Sequence, residues 1–358
     1  MDENQIKTSC LINNYNYARF LSDAIDSVLN QTVKFDEIII VDDASTDNSA
    51  EVINNFTQLA NVKSIFKPKN QGQLSSFNEG FLAASGDIIF FLDADDIYEI
   101  QYLETALNFY RKCSECDFLF CAYKKFGAEE GIFQSHAVDL DLGYSVIRTL
   151  YNGEWIGSIT STLSIRREII RKVLPIPYIE DWSVRADDCL VWGASLVGAK
   201  KFYISKLLVR YRIHQNNQYY NKFLDIDNNY EYKRFWKRNS LFNYILQKNN
   251  LSSPLFLAFT SLNELKTIPY PKYEDFISYL KIIFLFEQNL FWKIKGMILL
   301  ISYLLKTFII GKFKILPTIN NVICKINIVN LLSMKLKKYI ILMAIQNVTL
   351  LILKNNVK

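Results

Sequence analysis

The sequence predicts an α/β protein with a doubly wound, mainly parallel sheet, followed by a helical C-terminal region. Three observations carry this. Apolar runs of strand length alternate with stretches of helical period from Thr8 to Asp93, the order that yields a parallel sheet. The second and fourth of those runs stop abruptly at carboxylates, Asp42-Asp43 and Asp93-Ala94-Asp95-Asp96. Beyond residue 217 the composition shifts to Tyr, Phe, Lys and Asn in a helical pattern.

Residues 8–12 read as a first strand and residues 13–17 as a polar loop. Phe20, Leu21, Ala24, Ile25, Val28 and Leu29 then recur at helical spacing. A second strand is expected over residues 35–41, and Thr46 or Asp47 is placed to cap the helix through Val52, Ile53 and Phe56. Residues 62–66 form a short third strand, residues 70–73 a turn and residues 74–84 a helix that Gly86 ends. Ile88 to Leu92 is apolar throughout, as in a strand buried on both faces. Further helices are expected over residues 99–111, 142–151, 166–173 and 190–197. Strands are expected over residues 117–123, 158–165, 201–204 and 207–213. The division predicted is an α/β domain over residues 1–217 and a helical region over residues 218–358.

A chain of 358 residues is long enough for a full core and two domains. Half of it is hydrophobic, which makes it globular rather than disordered. A net charge of +5 is too modest to imply a nucleic-acid partner. The six cysteines are scattered, and Cys113-Ser114-Glu115-Cys116 is a lone CxxC in a chain with two histidines. Zinc is therefore not expected, and the thiols are those of a reduced, cytoplasmic protein. Met1 to Gln5 are polar and acidic, so no signal peptide is expected. From Leu290 the chain turns strongly apolar with interspersed lysines. Its runs over residues 297–305 and 339–353 fall short of the roughly 20 apolar residues that a bilayer needs. Two readings stay open there. One is peripheral membrane contact through residues 290–358; the other is buried helices of a small domain or oligomer interface.

Parallel sheets bind ligands just beyond the carboxyl ends of their strands, and the acidic clusters lie there. Crowded carboxylates repel one another, and a cation relieves the repulsion. Oxygen ligands suit Mg²⁺ or Mn²⁺, and Mg²⁺ takes one or two carboxylates plus substrate phosphates. The competing reading is a solvated acidic turn that caps the next helix. Asp187 and Asp188 likewise suit a helix N-terminus, where the dipole favours negative charge.

Several pieces stand in register. They are Asn14-Tyr15-Asn16, Ile40 through Asp47, Asn70-Gln71-Gly72-Gln73 with Ser76 through Phe81, Gly86-Asp87 through Asp96, Asp187-Asp188, and Tyr211-Arg212-Ile213-His214. In order and spacing they resemble the motifs of family 2 glycosyltransferases of the GT-A fold, over residues 6–217. The resemblance implies a Rossmann-like nucleotide-binding half, a UDP-linked nucleotide-sugar donor and inverting transfer. The acceptor would be a glycan, a lipid-linked sugar or a small molecule. By the same resemblance Asp43 hydrogen-bonds the nucleotide base, and Asp42, Asn14 and Tyr15 lie beside it. Asn78 and Asp187 belong to the donor side. Asp93 and Asp95 form the DXD motif, with Asp95, Asp93 and His214 toward a divalent Mn²⁺ or Mg²⁺ and Asp96 adding a hydrogen bond. Asp188 takes the place of the catalytic base. The metal would stabilise the departing diphosphate, and the base would remove the acceptor proton. Phe77 stands where many members carry Arg, so the expected cation shifts to Lys67 or Lys69. The Gln-x-x-Arg-Trp motif of processive synthases is absent, which implies one sugar per encounter. The implied setting is bacterial surface polysaccharide assembly at the inner face of the cell membrane. The alternative is a catalytically silent binding or scaffold protein that keeps the fold.

Overall fold

The computed structural model describes residues 6–215, 217, 228–252 and 256–309. The chain divides into two units: Met1–Asp141 with Trp155–Leu251, and Leu142–Glu154 with Ser252–Lys358. The composition changes after residue 217, but the unit boundaries fall elsewhere.

In the first unit β1 (Thr8–Asn14), α1 (Ala18–Leu29), β2 (Glu37–Asp42), α2 (Ser49–Asn54), β3 (Val62–Phe66), α3 (Gln73–Ala83) and β4 (Ile88–Asp93) alternate. Helix α1 forms because Leu21, Ala24, Ile25 and Val28 share one face, and all four are buried. Asp47 serves two helices: it accepts Ala18 N–H at the start of α1 and Ser49 N–H at the start of α2, each at 3.0 Å. Strand β1 pairs in parallel with both β2 and β4, and β2 with β3. Every residue of β2 is buried, as a strand with helices on both faces requires.

Then come β5 (Ile97–Tyr98), α4 (Tyr102–Lys112), β6 (Phe118–Gly127), β7 (Gly131–Phe133), β8 (Leu140–Gly143) and α5 (Val146–Asn152). A 3₁₀ turn (Thr160–Thr162) leads to β9 (Ser164–Arg166) and α6 (Arg167–Val173). A second 3₁₀ turn (Ile179–Trp182) precedes α7 (Asp187–Leu196), β10 (Lys201–Ile213) and α8 (Asn228–Lys248). The sheet runs β3-β2-β1-β4-β9-β6-β10-β5.

Three expectations change. The strand predicted over residues 158–165 is largely the 3₁₀ turn, and only three residues pair. They run antiparallel to β4 and β6. The cause is local: the Ser161 hydroxyl accepts Asp93 N–H at 3.1 Å and donates to Asp96 at 2.5 Å, drawing the chain out of a ladder. The two strands predicted between Lys201 and Ile213 are one, irregular in register between Ile204 and Val209. Strands β5, β7 and β8 are too short to show a period in the sequence.

Glu37 fastens the sheet at the end away from the carboxylate clusters. Its buried carboxylate accepts Ser9 Oγ at 2.5 Å, Gly86 N–H at 3.1 Å, the Ser85 N–H and Lys63 Nζ at 2.8 Å. Burial pushes it up, but these donors prevail and hold it at about 2.

The second unit joins α5 to α9 (Leu257–Lys266), α10 (Tyr273–Phe286) and α11 (Leu290–Ile309). Its core includes Ile147, Leu262, Leu265, Phe276, Ile283, Met297 and Leu300. Glu264 is buried and accepts the Ile147 N–H at 2.9 Å, the Arg148 N–H at 3.3 Å and the Tyr279 hydroxyl at 2.9 Å. It supplies from another helix the cap that α5 lacks. No helix among the described residues is long and apolar enough to cross a membrane. The apolar run over residues 339–353 and the lysines from Lys312 onward lie outside the described residues.

Candidate active site

The tips of β1, β2 and β4 open into a cavity of about 730 Å³ in the first unit, within the range of ~300–1,000 Å³ usual for small-molecule sites. Asn13, Asn14, Tyr15, Asp43, Asp93, Asp95 and Asp187 line it. Strand order places it at β1, whose two neighbours lead to opposite sides of the sheet, the crevice where doubly wound sheets bind ligands.

Asp43 follows β2 and is buried. It pairs with Lys67 Nζ and accepts the N–H groups of Gln71 and Gly72, the latter at 2.6 Å. Those contacts fold the loop from Asn70 to Gly72 into the cavity wall. Lys67, a cation expected near a nucleotide, is therefore neutralised by Asp43.

Asp93 ends β4. Its Oδ1 accepts Asn13 Nδ2 at 2.9 Å and Gln73 Nε2 at 3.0 Å. Burial and then the nearby Asp95 charge raise it to about 7. Asp95 Oδ2 lies 2.9 Å from His214 Nε2 and accepts Asn217 Nδ2 at 3.3 Å. The His214 ring packs against Tyr17 and Phe20, with centroids 5.4 and 4.7 Å away. Asp96 is wholly buried, accepts Ser161 Oγ and Arg212 N–H, and is pushed far above the usual carboxylate range by burial and by Asp95.

Adjacent Asp187 and Asp188 open α7 and face different surroundings. Asp187 lines the cavity, and burial followed by the Asp188 charge raises it to about 7. Asp188 has no exposure. Its oxygens meet Arg185 Nη2 at 3.2 Å and Arg234 Nη2 at 3.3 Å. Burial raises it, with both guanidinium groups opposing.

Several of the expected site residues are placed as follows. Asp188, expected as the base, is not on the cavity wall; its arginine partners do face the cavity. Asp42 is not on the wall either: it accepts Asn14 Nδ2 at 2.7 Å and Ser45 Oγ at 2.6 Å, and so shapes the turn after β2. Asn78 is spent on the backbone, donating to Ile176 C=O at 2.9 Å and accepting Ile176 N–H at 3.0 Å. Asp93, Asp95 and His214 do not gather into a three-ligand metal cluster among the described residues; His214 lies against Asp95.

Sequence reasoning missed Gln73 and Trp155. The Gln73 amide spans the site: Nε2 donates to Asp93, and Oε1 accepts Ala186 N–H at 3.0 Å, one residue before α7. Its place beside Gly72 in the third motif was the available signal. Trp155 lines the cavity, and its buried indole N–H lacks a hydrogen-bond partner among the described residues. Nothing in its sequence neighbourhood marks it.

A mostly parallel sheet that brings carboxylates to a cavity at its strand tips has the layout of the GT-A fold. The chain belongs to glycosyltransferase family 2. The model of Glycosyl transferase family 2 matches residues 9–174. An uncharacterized glycosyltransferase of Nostoc sp. is 37% identical over 220 residues, 60% of this chain and 67% of that one. Glycosyltransferase GlyA of Streptococcus pneumoniae is 27% identical over 220 residues, 59% of this chain but 31% of its own length. Among solved structures, S. aureus TarS 1-349 matches with a TM-score of 0.50 at 17% identity, covering 83% of this chain and 80% of that one. That likeness is one of fold.

Proposed function

We propose that this protein moves a sugar from a UDP-linked donor to an acceptor hydroxyl with inversion, in the assembly of a bacterial surface polysaccharide. The observation that carries the reading is that Asp43, Asp93, Asp95 and Asp187 all line one cavity. A nucleotide base, a diphosphate and an acceptor hydroxyl thus each have a carboxylate to meet. Of the about four acceptor sites on a carboxylate, Asp43 uses three on Lys67, Gln71 and Gly72. The remaining one suits an N–H of the base. The TarS complex with UDP-GlcNAc, matched at a TM-score of 0.50, makes UDP the first nucleotide to test.

The residues at the diphosphate end fit a divalent cation. Asp93 and Asp95 repel each other, and Asn13 Oδ1 is a buried oxygen without a partner among the described residues. Asp93, Asp95 and Asn13 would hold a Mn²⁺ or Mg²⁺ ion, and donor phosphates would complete its shell. When bound, such an ion stabilises charge on the leaving diphosphate. His214 keeps the Asp95 carboxylate oriented.

For the base we propose Asp187. It faces the cavity, and a group near 7 is matched to neutral pH. Asp187 accepts the acceptor proton while that oxygen attacks the anomeric carbon, opposite the breaking bond to diphosphate. Asp188 holds Arg185 and Arg234, which line the cavity. Peripheral contact with the inner face of the membrane through residues 290–358 belongs to the same reading, since a lipid-linked acceptor would lie there.

Calorimetric titration of UDP with and without Mn²⁺ tests the donor, and metal-dependent binding of UDP but not GDP is expected. Binding of neither by folded protein would leave the silent scaffold. Asp187→Asn should lower turnover by roughly 10²–10⁴-fold with UDP affinity unchanged. If Asp188→Asn alone gives that pattern, the base is Asp188.

A further inference from the structure

On the helical unit Phe256, Phe259, Leu290 and Phe291 are 52%, 37%, 67% and 63% exposed. They are gathered rather than scattered. The Trp292 ring lies 5.6, 5.3 and 5.2 Å from the rings of Phe256, Phe259 and Phe291. Lys295 Nζ stands 4.7 Å over the Trp292 centroid, and 5.5 and 5.6 Å from those of Phe259 and Phe291. A contiguous aromatic surface of this kind marks a binding face.

We propose that this cluster docks on an anionic lipid bilayer. Rings that carry a cation suit the bilayer interface, where the apolar body sinks below the headgroups and the ammonium meets lipid phosphate. The charge pattern selects the partner. From Gln288 to Lys358 the sequence has eleven lysines and neither Asp nor Glu. The last acidic residue, Glu287, is buried and accepts the Asn289 N–H at 3.3 Å. A second copy would set lysines against lysines in a twofold contact. The stretch over residues 310–358 brings eight further lysines and no carboxylate to answer Lys295. An anionic bilayer supplies what both lack, at about 1 kcal/mol per lysine near the surface. The inference rests on the membrane contact proposed above and names the residues that make it, and it holds whichever sugar the other unit transfers.

The test is flotation of the full chain with vesicles of phosphatidylcholine alone or mixed with phosphatidylglycerol. Binding is expected only to the mixed vesicles, and its loss in about 1 M salt, where screening reaches about 3 Å. Phe256→Ser with Phe291→Ser should weaken partition roughly ten- to hundredfold while UDP binding is retained. Brominated lipid should quench part of the wild-type tryptophan emission, and the conservative Trp292→Phe should remove that part even if the double variant misfolds. Equal binding to neutral vesicles, undiminished binding by a folded double variant, or quenching that survives Trp292→Phe would each overturn the proposal. So would a lipid-free dimer dispersed by the same substitutions.

Discussion

Asp187 and Asp188 are chemically identical neighbours, and their surroundings alone separate them. One faces a cavity and the other two guanidinium groups. Because Asp187 is held near 7, it carries a proton below that pH and cannot take another. Turnover per KM is therefore expected to rise about tenfold per unit as pH climbs toward 7 and to level off above it. A pH–rate profile checks this; a limb that breaks near 4 would remove Asp187 as the base. The sequence displayed the carboxylates plainly, since Asp42, Asp43, Asp93, Asp95 and the 187–188 pair stand at strand ends and a helix start. What it withheld was direction. Asp42 and Asn78 turn toward backbone and neighbouring side chains, and a one-residue step decides which member of a pair faces the cavity. Such a step depends on contacts such as Arg234, which comes from α8, far along the chain.

Elements carry their own constraints. Gly72 has φ +84°, and a Cβ there would lie 2.3 Å from Ser183 Cα. The N-terminus of α3 thus passes against the loop leading to α7, and Gln73 joins the two. Gly72→Ala is expected to destabilise by more than about 1 kcal/mol and to weaken UDP binding, readable in a thermal melt and a titration. An unchanged melt would show that the loop yields freely. At the opposite end of the sheet, Glu37→Gln is expected to cost about 1–3 kcal/mol at neutral pH. The folded value of about 2 lies below the ordinary 4.5. The stabilisation is therefore present above about 4.5 and is lost as pH falls toward 2. Urea unfolding at pH 7 and pH 3 should show the gap from wild type narrowing. The alternating elements up to β4 were legible because each is long and of one period. Strand β9 was not, because hydroxyl groups of the Thr160–Thr162 turn bind Asp93 and Asp96 locally and override the apolar run.

At the scale of the molecule, the two units do not follow chain order. The first has two chain segments and so does the second. Composition shows where helices become frequent, but it cannot show that α5 is a partner of α9 and α10. That membership rests on Ile147 entering a distant core and on Glu264 capping a helix more than a hundred positions earlier. Glu264→Ala should leave two buried N–H groups unpaired, destabilising the helical unit by about 1–3 kcal/mol without altering UDP titration. Loss of nucleotide binding in that variant would contradict the assignment of the cavity to the first unit.

Helix α5 also has a history during synthesis. It leaves the ribosome roughly a hundred residues before α9, which at about 5–20 residues per second is a wait of roughly 5–20 s. Through that interval Ile147 and the open N–H groups of α5 have no native partner, although the strands on either side of it can already pair. A nascent chain stalled after Leu251 should therefore present α5 as a chaperone-binding segment flanked by folded sheet, and translation of α9 and α10 should bury it.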